Sequence, residues 1–505
     1  MSSLTKNYWR ECEVAALLGS QKAPAMSQWP TAELQVVSSQ LAQDHPLLLS
    51  QLALMAIYQR AGQQSTSLAA TAPAEGETQA YISPAAQQHA QFVLHQEGQA
   101  YLGDWLNAVA AQHALLPRTL LPQFLRLGEH NKKWRLAIGQ IAGKRGAWLG
   151  QQNPDWSWSV AAQFDLNSPE LEKYWQTASL ACREVLFERL RLENPERALA
   201  FVITLWPNEN ANVRKLLLEK LSIHLSMADH DFLESCLDDR SKVVKDVAID
   251  LLARLPESLL VQRMQQQLSQ ILLLKTGIIR KSLDIIPLET ISPALERDGF
   301  NPKAATVQGL GAKAQWLRDI ISYVSLDWLT QHYGLDAQSF VTQILKTEWE
   351  EALIAGLTLA AIRQQQQTWL QALLTVESNK IALRRVDLQN ALSPIIREQW
   401  LLNALKKAKN STEQLTILAT ALRELSAWQW SQDFTLVAMS IYQHPQLQNS
   451  QSYEVERRLM PQLLDNLAVW GDDRLSLQPN QYPTVVLIAW KFKLEMTAAL
   501  NPPSL

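Results

Sequence analysis

A repeat with a spacing of 31 residues runs through residues 177–256 and constrains the fold more than any other feature of this sequence. Its three segments open on dipeptides at that spacing, namely Cys182-Arg183, Val213-Arg214 and Val244-Lys245. Apolar residues follow at helical spacing, namely Leu186 and Leu190, Leu217 and Leu221, and Ala248 and Leu252. One helix pair of this length cannot bury its own apolar face, so successive pairs stack and share one core. We therefore predict an all-α fold, a HEAT- or armadillo-like α-solenoid of antiparallel helix pairs.

The size and charge of the chain are consistent with such an array. A chain of 505 residues is too long for one compact core. Separate domains and an extended array are the two solutions, and the repeat favours the array. The formal net charge is only -3, so global charge does not attract the protein to nucleic acid or to an anionic membrane. Only a local patch could do so.

The cysteines and the N-terminus bear on the compartment. Cys12, Cys182 and Cys236 are far apart in sequence and form no paired motif, which is typical of a reducing compartment. The N-terminus has acidic residues and no apolar stretch of signal-peptide length, and the longest apolar region, 47–58, is too short to span a membrane. We expect a soluble cytoplasmic protein without a membrane-spanning segment.

Composition and the positions of proline and glycine divide the chain into five regions. Residues 1–61 form N-terminal helices, and 62–83 are a flexible loop rich in Gln, Ser, Thr and Ala. Residues 84–167 are a helical region with a basic, tryptophan-rich segment. Residues 168–290 hold the HEAT-like repeats, and 291–505 hold irregular helical repeats.

Local signals place individual helix ends. Gly19 is suited to end the first helix, and Ser83 followed by Pro84 is suited to begin another. Beyond residue 256 the repeat register is lost, but helical periodicity continues. Helices are predicted there over 258–274, 277–286 and further segments up to 482–500.

Tryptophan is unusually frequent, with 18 residues against 10 tyrosines and 10 phenylalanines. Large aromatic side chains fill cores well and also anchor interfaces. We expect most of them to fill the space between stacked helices.

The segment 129–158 combines basic residues, glycines and tryptophans, and its helical pattern is broken after Ile141. With its upstream neighbours it contributes seven basic residues, opposed only by Glu129: Arg118, Arg126, Lys132, Lys133, Arg135, Lys144 and Arg145. Four tryptophans interleave or follow, namely Trp134, Trp148, Trp156 and Trp158. This pattern suits a solvated basic face on packed helices, contact with an acidic protein surface, or binding of nucleic acid through phosphates and stacked bases.

No catalytic, metal or cofactor motif is present. Residues 139–146, GQIAGKRG, differ from a phosphate-binding loop, because the glycine spacing is too short and Arg145 stands where a hydroxyl would hold magnesium. His224 and His230 have no zinc-ligand spacing. We assign no catalytic residue, no metal and no cofactor, although a site assembled from distant helices leaves no such motif.

Three blocks carry a family resemblance. They are GKRGAWLGQQNPDW at 143–156, ALLGS at 16–20, and LDDRSK at 237–242 followed by LLARLP at 251–256. The chain resembles an uncharacterised bacterial family of helical-repeat proteins, named only as a domain of unknown function. It departs from that family at residues 20–22, where Ser-Gln-Lys replaces a run similar to Thr-Glu-Arg.

The resemblance implies partners rather than a chemistry. Genes of that family often neighbour those for a SWIM zinc-finger protein, a MoxR-type AAA+ ATPase and a von Willebrand factor A (VWA) domain protein. We therefore expect a non-catalytic scaffold that binds protein partners in a chaperone-like ATPase system. The candidate contact residues are Lys144, Arg145, Trp148, Asn153, Asp155 and Trp156.

Two alternatives stay open at this point. Asn153 and Asp155 suit a turn around Pro154 as well as a contact. The protein could also be a nucleic-acid-binding HEAT-like protein acting on damaged DNA, since folds of this kind that remove alkylated bases are known, and then the basic cluster would face phosphates.

Overall fold

The fold is described by a computed structural model of the chain. The described residues are 3–19, 28–40, 47–61, 71–276, 281–300, 310–376, 385–449, 452, 455–477 and 482–500. They form 28 α-helices and one two-stranded sheet, so the prediction of a predominantly helical protein is confirmed. The chain divides into two compact units, Met1–Pro73 and Ala74–Leu505, and this division falls inside the predicted loop 62–83.

The described residues of the smaller unit form three helices around a small core. They are α1 (Ser3–Leu18), α2 (Ala32–Ser39) and α3 (Leu47–Ala61). The buried residues at their centre are Tyr8, Cys12, Leu34 and Met55. Helix α1 ends as predicted: Gly19 has a φ of 83°, and its N–H donates to the carbonyl of Ala15. Only glycine adopts this left-handed conformation without strain.

The larger unit contains the remaining elements. Its first helices are α4 (Pro84–Leu94), α5 (Leu102–Ala111), α6 (Leu121–His130), α7 (Arg135–Gln152) and α8 (Trp158–Gln163). The helices that follow are α9 (Leu171–Thr177), α10 (Leu180–Glu193), α11 (Pro195–Leu205), α12 (Ala211–Leu221), α13 (His230–Ser235), α14 (Lys242–Leu252) and α15 (Leu259–Ile271). After the sheet come α16 (Pro293–Arg297), α17 (Ala312–Tyr323), α18 (Leu326–Tyr333), α19 (Ala337–Ile344), α20 (Glu350–Gln364), α21 (Gln367–Leu374) and α22 (Arg385–Ala391). The last are α23 (Pro394–Lys407), α24 (Ser411–Glu424), α25 (Gln432–Tyr442), α26 (Pro445–Gln448), α27 (Met460–Trp470) and α28 (Thr484–Leu500).

Capping residues set several of these helix starts. Ser83 begins α4 as predicted, since its hydroxyl accepts a hydrogen bond from the N–H of Ala86. Ser179 and Asn210 cap α10 and α12 in the same way. Ser241 precedes α14 without such a bond. Helices α10, α12 and α14 begin at residues 180, 211 and 242, a spacing of 31, and α12 packs against both of the others.

Two arginines occupy matching places on this series of helices. Arg183 on α10 lies over the ring of Trp175 at 5.3 Å, and Arg214 on α12 lies over Trp206 at 5.6 Å. Glu209 completes the first arrangement, accepting from the Trp175 indole at 2.6 Å and pairing with Arg183 at 3.2 Å. Each stacked pair therefore joins a helix to the chain that precedes it.

An antiparallel hairpin stands where part of a helix is predicted over 277–286. Strand β1 (Leu272–Thr276) pairs with β2 (Lys281–Ile285), so the prediction is wrong for residues 281–285. Residues 277–280 lie outside the described part of the chain. Helix α15 also stops short of the predicted range 258–274, because β1 begins at its last turn.

The alternation of burial explains this correction. Leu272 is 1% exposed, Leu273 is 38% exposed, and Leu274 packs against the core with Leu283 and Ile285. Side chains that alternate between two faces mark a strand. A run of leucines has a high helix propensity, and pairing with the second strand overrides it here.

The first and last helices of the larger unit contact one another. The ring of Phe492 on α28 lies 4.6 Å from that of Phe92 and 5.0 Å from that of His89, both on α4. The hydroxyl of Ser83 donates to the carbonyl of Ala499 at 3.2 Å. A strict solenoid, in which each repeat contacts only its neighbours, does not predict this contact.

His89 lies at the contact between α4 and α28, and we expect it to make the stability of the protein depend on pH. Burial lowers the pKa of His89, and the nearby Glu495 carboxylate offsets this only in part. Its Nδ1 is buried with no hydrogen-bond partner among the described residues. The unfolded chain, with a histidine pKa of about 6.5, then binds more protons than the folded chain in mildly acidic solution. We expect the urea midpoint to fall between pH 7.5 and pH 5.5, and to fall less in His89→Leu.

A surface histidine provides the control. His113 is exposed and has a φ of 53°, a conformation that asparagine tolerates. His113→Asn should keep the pH dependence of the unaltered protein. An equal fall of the urea midpoint in the protein and in His89→Leu would show that His89 does not carry the effect.

The cysteines and the lengths of the helices bear on the predicted compartment and on the predicted absence of a membrane-spanning segment. Cys12, Cys182 and Cys236 are all buried and unpaired. Among the described helices, none is long and apolar enough to cross a membrane.

Candidate partner-binding site

Helix α7 carries the basic, tryptophan-rich segment and is broken at Gly143. This residue has φ 63° and ψ -165°, a backbone conformation that residues other than glycine rarely adopt. The break lies close to Ile141, after which the sequence predicts that the helical pattern is broken. The prediction of a broken pattern is therefore confirmed at Gly143, and the helix resumes at once and continues to Gln152.

Two glutamates hold the restarted helix. The carboxylate of Glu77 accepts from the N–H of Arg145 at 2.8 Å and from the N–H of Lys144 at 3.2 Å. Glu75 pairs with the Lys144 ammonium at 2.9 Å. Their hydrogen bond lowers the pKa of Glu75 and raises that of Lys144. A carboxylate at a helix N-terminus satisfies free amides and favours the positive end of the helix dipole.

Sequence reasoning missed both glutamates. They belong to the stretch 62–83, which its composition predicts to be a flexible loop. The signal was Glu-Gly-Glu at 75–77 within an otherwise uncharged run, but no local pattern pairs it with residues almost seventy positions later.

Glycines on α7 allow α8 to approach closely. A Cβ at Gly139 would lie 2.3 Å from the Cβ of Ala162, and one at Gly150 would lie 2.4 Å from the hydroxyl oxygen of Ser159. That hydroxyl donates to the carbonyl of Gly146 at 2.9 Å. Gly146 and Gly150, two residues of the block that carries the family resemblance, therefore serve packing between α7 and α8.

The six candidate contact residues fall into two groups. Lys144, Arg145 and Trp148 lie on the restarted part of α7, where Lys144 is exposed and the other two are half-buried. Nη1 of Arg145 is buried without a hydrogen-bond partner among the described residues. The second group, Asn153, Asp155 and Trp156, lies beyond the end of α7.

That second group forms a turn. Asn153 begins a short 3-10 helix, Pro154–Trp156, and its side chain accepts from the N–H of Asp155 at 3.1 Å. This geometry matches the turn-forming alternative for Asn153. Trp156 donates its indole N–H to Glu129 at 3.1 Å. Asp155 remains exposed.

The basic cluster is divided between structural and exposed side chains. Arg135 donates to the carbonyls of Gly128 and Glu129, at the end of α6. Lys144 is paired with Glu75, as described above. The remaining exposed cations are Arg118, Arg126, Lys132 and Lys133.

The tryptophans of this segment are poorly placed for base stacking. Trp158 is fully buried, and Trp134, Trp148 and Trp156 are half-buried. All eighteen tryptophans lie in the described residues, and none of them is exposed. This burial favours a role in core packing for the tryptophans.

An open groove lies between α12 and α14 and has a volume of about 470 Å³. Val243 stands in it with 47% of its surface exposed. Two ion pairs flank it. Lys215 and Glu219 on α12 are 3.3 Å apart, and Asp250 on α14 lies 2.6 Å from Arg254, just beyond the end of that helix. The groove thus combines an apolar centre with charges of both signs.

Within the described part of the chain, no group of three or more His, Cys, Asp or Glu side chains is arranged to hold a metal ion.

Residues 11–484 match the family of unknown function DUF5691. The chain belongs to the DUF5691 family. No curated protein and no solved structure matches it. The DUF5691 match includes the block at 143–156 and spans both compact units.

Proposed function

We propose that this DUF5691 protein is a non-catalytic helical-repeat scaffold that binds protein partners. The observation that carries the proposal is the groove between α12 and α14. Its exposed Val243 offers apolar contact, and its flanking charges of both signs suit the mixed surface of a protein segment. A nucleic acid would meet Glu219, Asp246 and Asp250 in the same groove.

The proposal extends to the HEAT-like architecture, to the identity of the partners and to the cellular location. The regular spacing of α10, α12 and α14 supports HEAT-like stacking of helix pairs in this part of the chain. The partners to test first are the SWIM zinc-finger protein, the MoxR-type AAA+ ATPase and the VWA protein. A cytoplasmic location agrees with three buried thiols that form no disulfide.

The test is affinity capture of the tagged, full-length protein from its own cells, with and without nuclease, read by mass spectrometry. The variant Val243→Arg places a charge at the centre of the groove. We expect it to lose the captured AAA+ or VWA protein by about tenfold or more, because a long charged side chain replaces the apolar contact that a docked partner would bury.

Leu180→Arg is the matched control, since Leu180 lies on α10, is also exposed and does not line the groove. It should capture as the unaltered protein does. Equal capture by all three proteins would contradict the proposal.

The nuclease arm tests the nucleic-acid alternative. The exposed Arg126, Lys132 and Lys133 are what supports it. Partners that disappear on nuclease treatment, with nucleic acid recovered from the untreated sample, would favour that alternative over the scaffold.

A further inference from the structure

A second groove, between α21 and α23, differs in character from the first. It has a volume of about 520 Å³. Ile396, Trp400 and Ala404 recur every fourth residue along α23 and form its apolar floor. Trp400 is half-buried and packs against both large hydrophobic clusters of the protein. This packing fixes the position of the apolar floor.

Amide side chains stand on both walls of the groove. Gln399 and Asn403 lie one position before the floor residues on α23, and Gln371 faces them from α21. All three are exposed, and their side chains have no hydrogen-bond partner within the described residues. An amide offers both a donor and an acceptor, which matches the alternating N–H and C=O groups of an extended peptide backbone.

The groove is also basic. Lys407 continues the amide row along α23 and forms no ion pair with another described residue. Arg385 lines the opposite wall while donating to the carbonyls of Leu374 and Val376 at the end of α21. No carboxylate belongs to the described lining, so the charge of the groove complements an acidic ligand.

We propose that the groove between α21 and α23 binds an extended, acidic segment of a partner protein. The amides would pair with its backbone, Trp400 would receive one apolar side chain, and Lys407 would face its carboxylates. A helical ligand fits less well, because its backbone groups are already hydrogen-bonded. A nucleic-acid strand fits less well too, since the described lining of the groove offers one free cation and one half-buried aromatic ring.

This inference rests on the proposed scaffold function but uses a different surface. Its test is selection of a phage-displayed library of random 12-residue peptides on the full-length protein. We expect the enriched peptides to carry acidic residues around one leucine or aromatic residue. Their affinity, measured by fluorescence anisotropy, should fall about tenfold or more in Lys407→Glu.

Lys406 supplies a control of equal charge change. It is exposed on the same helix and does not line the groove, so Lys406→Glu should bind within about twofold of the unaltered protein. Enrichment of peptides without acidic residues, no enrichment, or equal binding by the two variants would overturn the inference. So would a single-stranded oligonucleotide that binds and is lost in Lys407→Glu.

The two proposals fail separately. Peptides that bind Lys407→Glu normally but not Val243→Arg would overturn the inference about this groove while supporting partner binding between α12 and α14. If the peptides fail to bind only Lys407→Glu, and Val243→Arg captures cellular partners normally, the inference about this groove is supported and partner binding between α12 and α14 is overturned.

Discussion

Arg191→Ala is expected to lower the free energy of unfolding by about 3–5 kcal/mol, the range for breaking a buried ion pair. The Arg191 guanidinium donates to Asp229 at 2.5 Å, and both side chains are 1% exposed. It also donates to the carbonyls of Ile223 at 2.6 Å, Pro195 at 2.9 Å and His224 at 3.1 Å. Alanine would leave the buried Asp229 carboxylate without a cation and would remove one hydrogen-bond donor from each of these carbonyls.

This arginine links successive helices of the 31-residue series, because it lies on α10 and reaches the chain that follows α12. The effect should appear as a lower midpoint in urea unfolding followed by circular dichroism. Lys173→Ala is the control: its ion pair with Glu170 has a similar length, 2.9 Å, but Lys173 is 80% exposed. A change below about 1 kcal/mol is expected there. Equal midpoints for the two variants would contradict a structural role for the Arg191 cluster.

Gly143→Ala is expected to destabilise the protein by about 3 kcal/mol, because two effects combine at this position. Its backbone, with φ 63° and ψ -165°, is strained for any residue with a side chain. A Cβ would also lie 2.8 Å from the carboxylate oxygens of Glu77, which would have to move from its cap on Arg145 and Lys144. Thermal unfolding and the urea midpoint are the measurements.

A second glycine separates the two effects. Gly334 has a φ of 59°, and a Cβ there would meet no atom within 4 Å. Gly334→Ala should therefore show only backbone strain, about 1–2 kcal/mol. If Gly143→Ala were no more damaging than Gly334→Ala, the contact with Glu77 would contribute nothing.

The candidate contact residues all belong to one block of sequence, and the structure divides them between a helix and the turn that follows it. Lys144 and Arg145 lie at the restart of α7, whereas Asn153 and Trp156 lie at its far end. Proximity in sequence was the only guide to proximity in space, and a helix carries neighbours apart by about 1.5 Å for each residue. The grooves were not predicted, because each is formed by residues on two different helices.

The positions of helices and of many of their ends were determined by the sequence alone. Apolar periodicity and capping residues such as Ser83 and Gly19 act over a few positions, so a local pattern is enough to read them. The 31-residue spacing was readable for the same reason, since it repeats such local patterns.

Contacts between distant residues were decided only by the tertiary structure. Glu77 caps a helix 67 residues later, and Ser83 bonds a carbonyl 416 residues away. The leucines of β1 form a strand only because β2 pairs with them. Each of these depends on a partner that local propensity does not specify, and burial and hydrogen bonding with that partner outweigh the local preference.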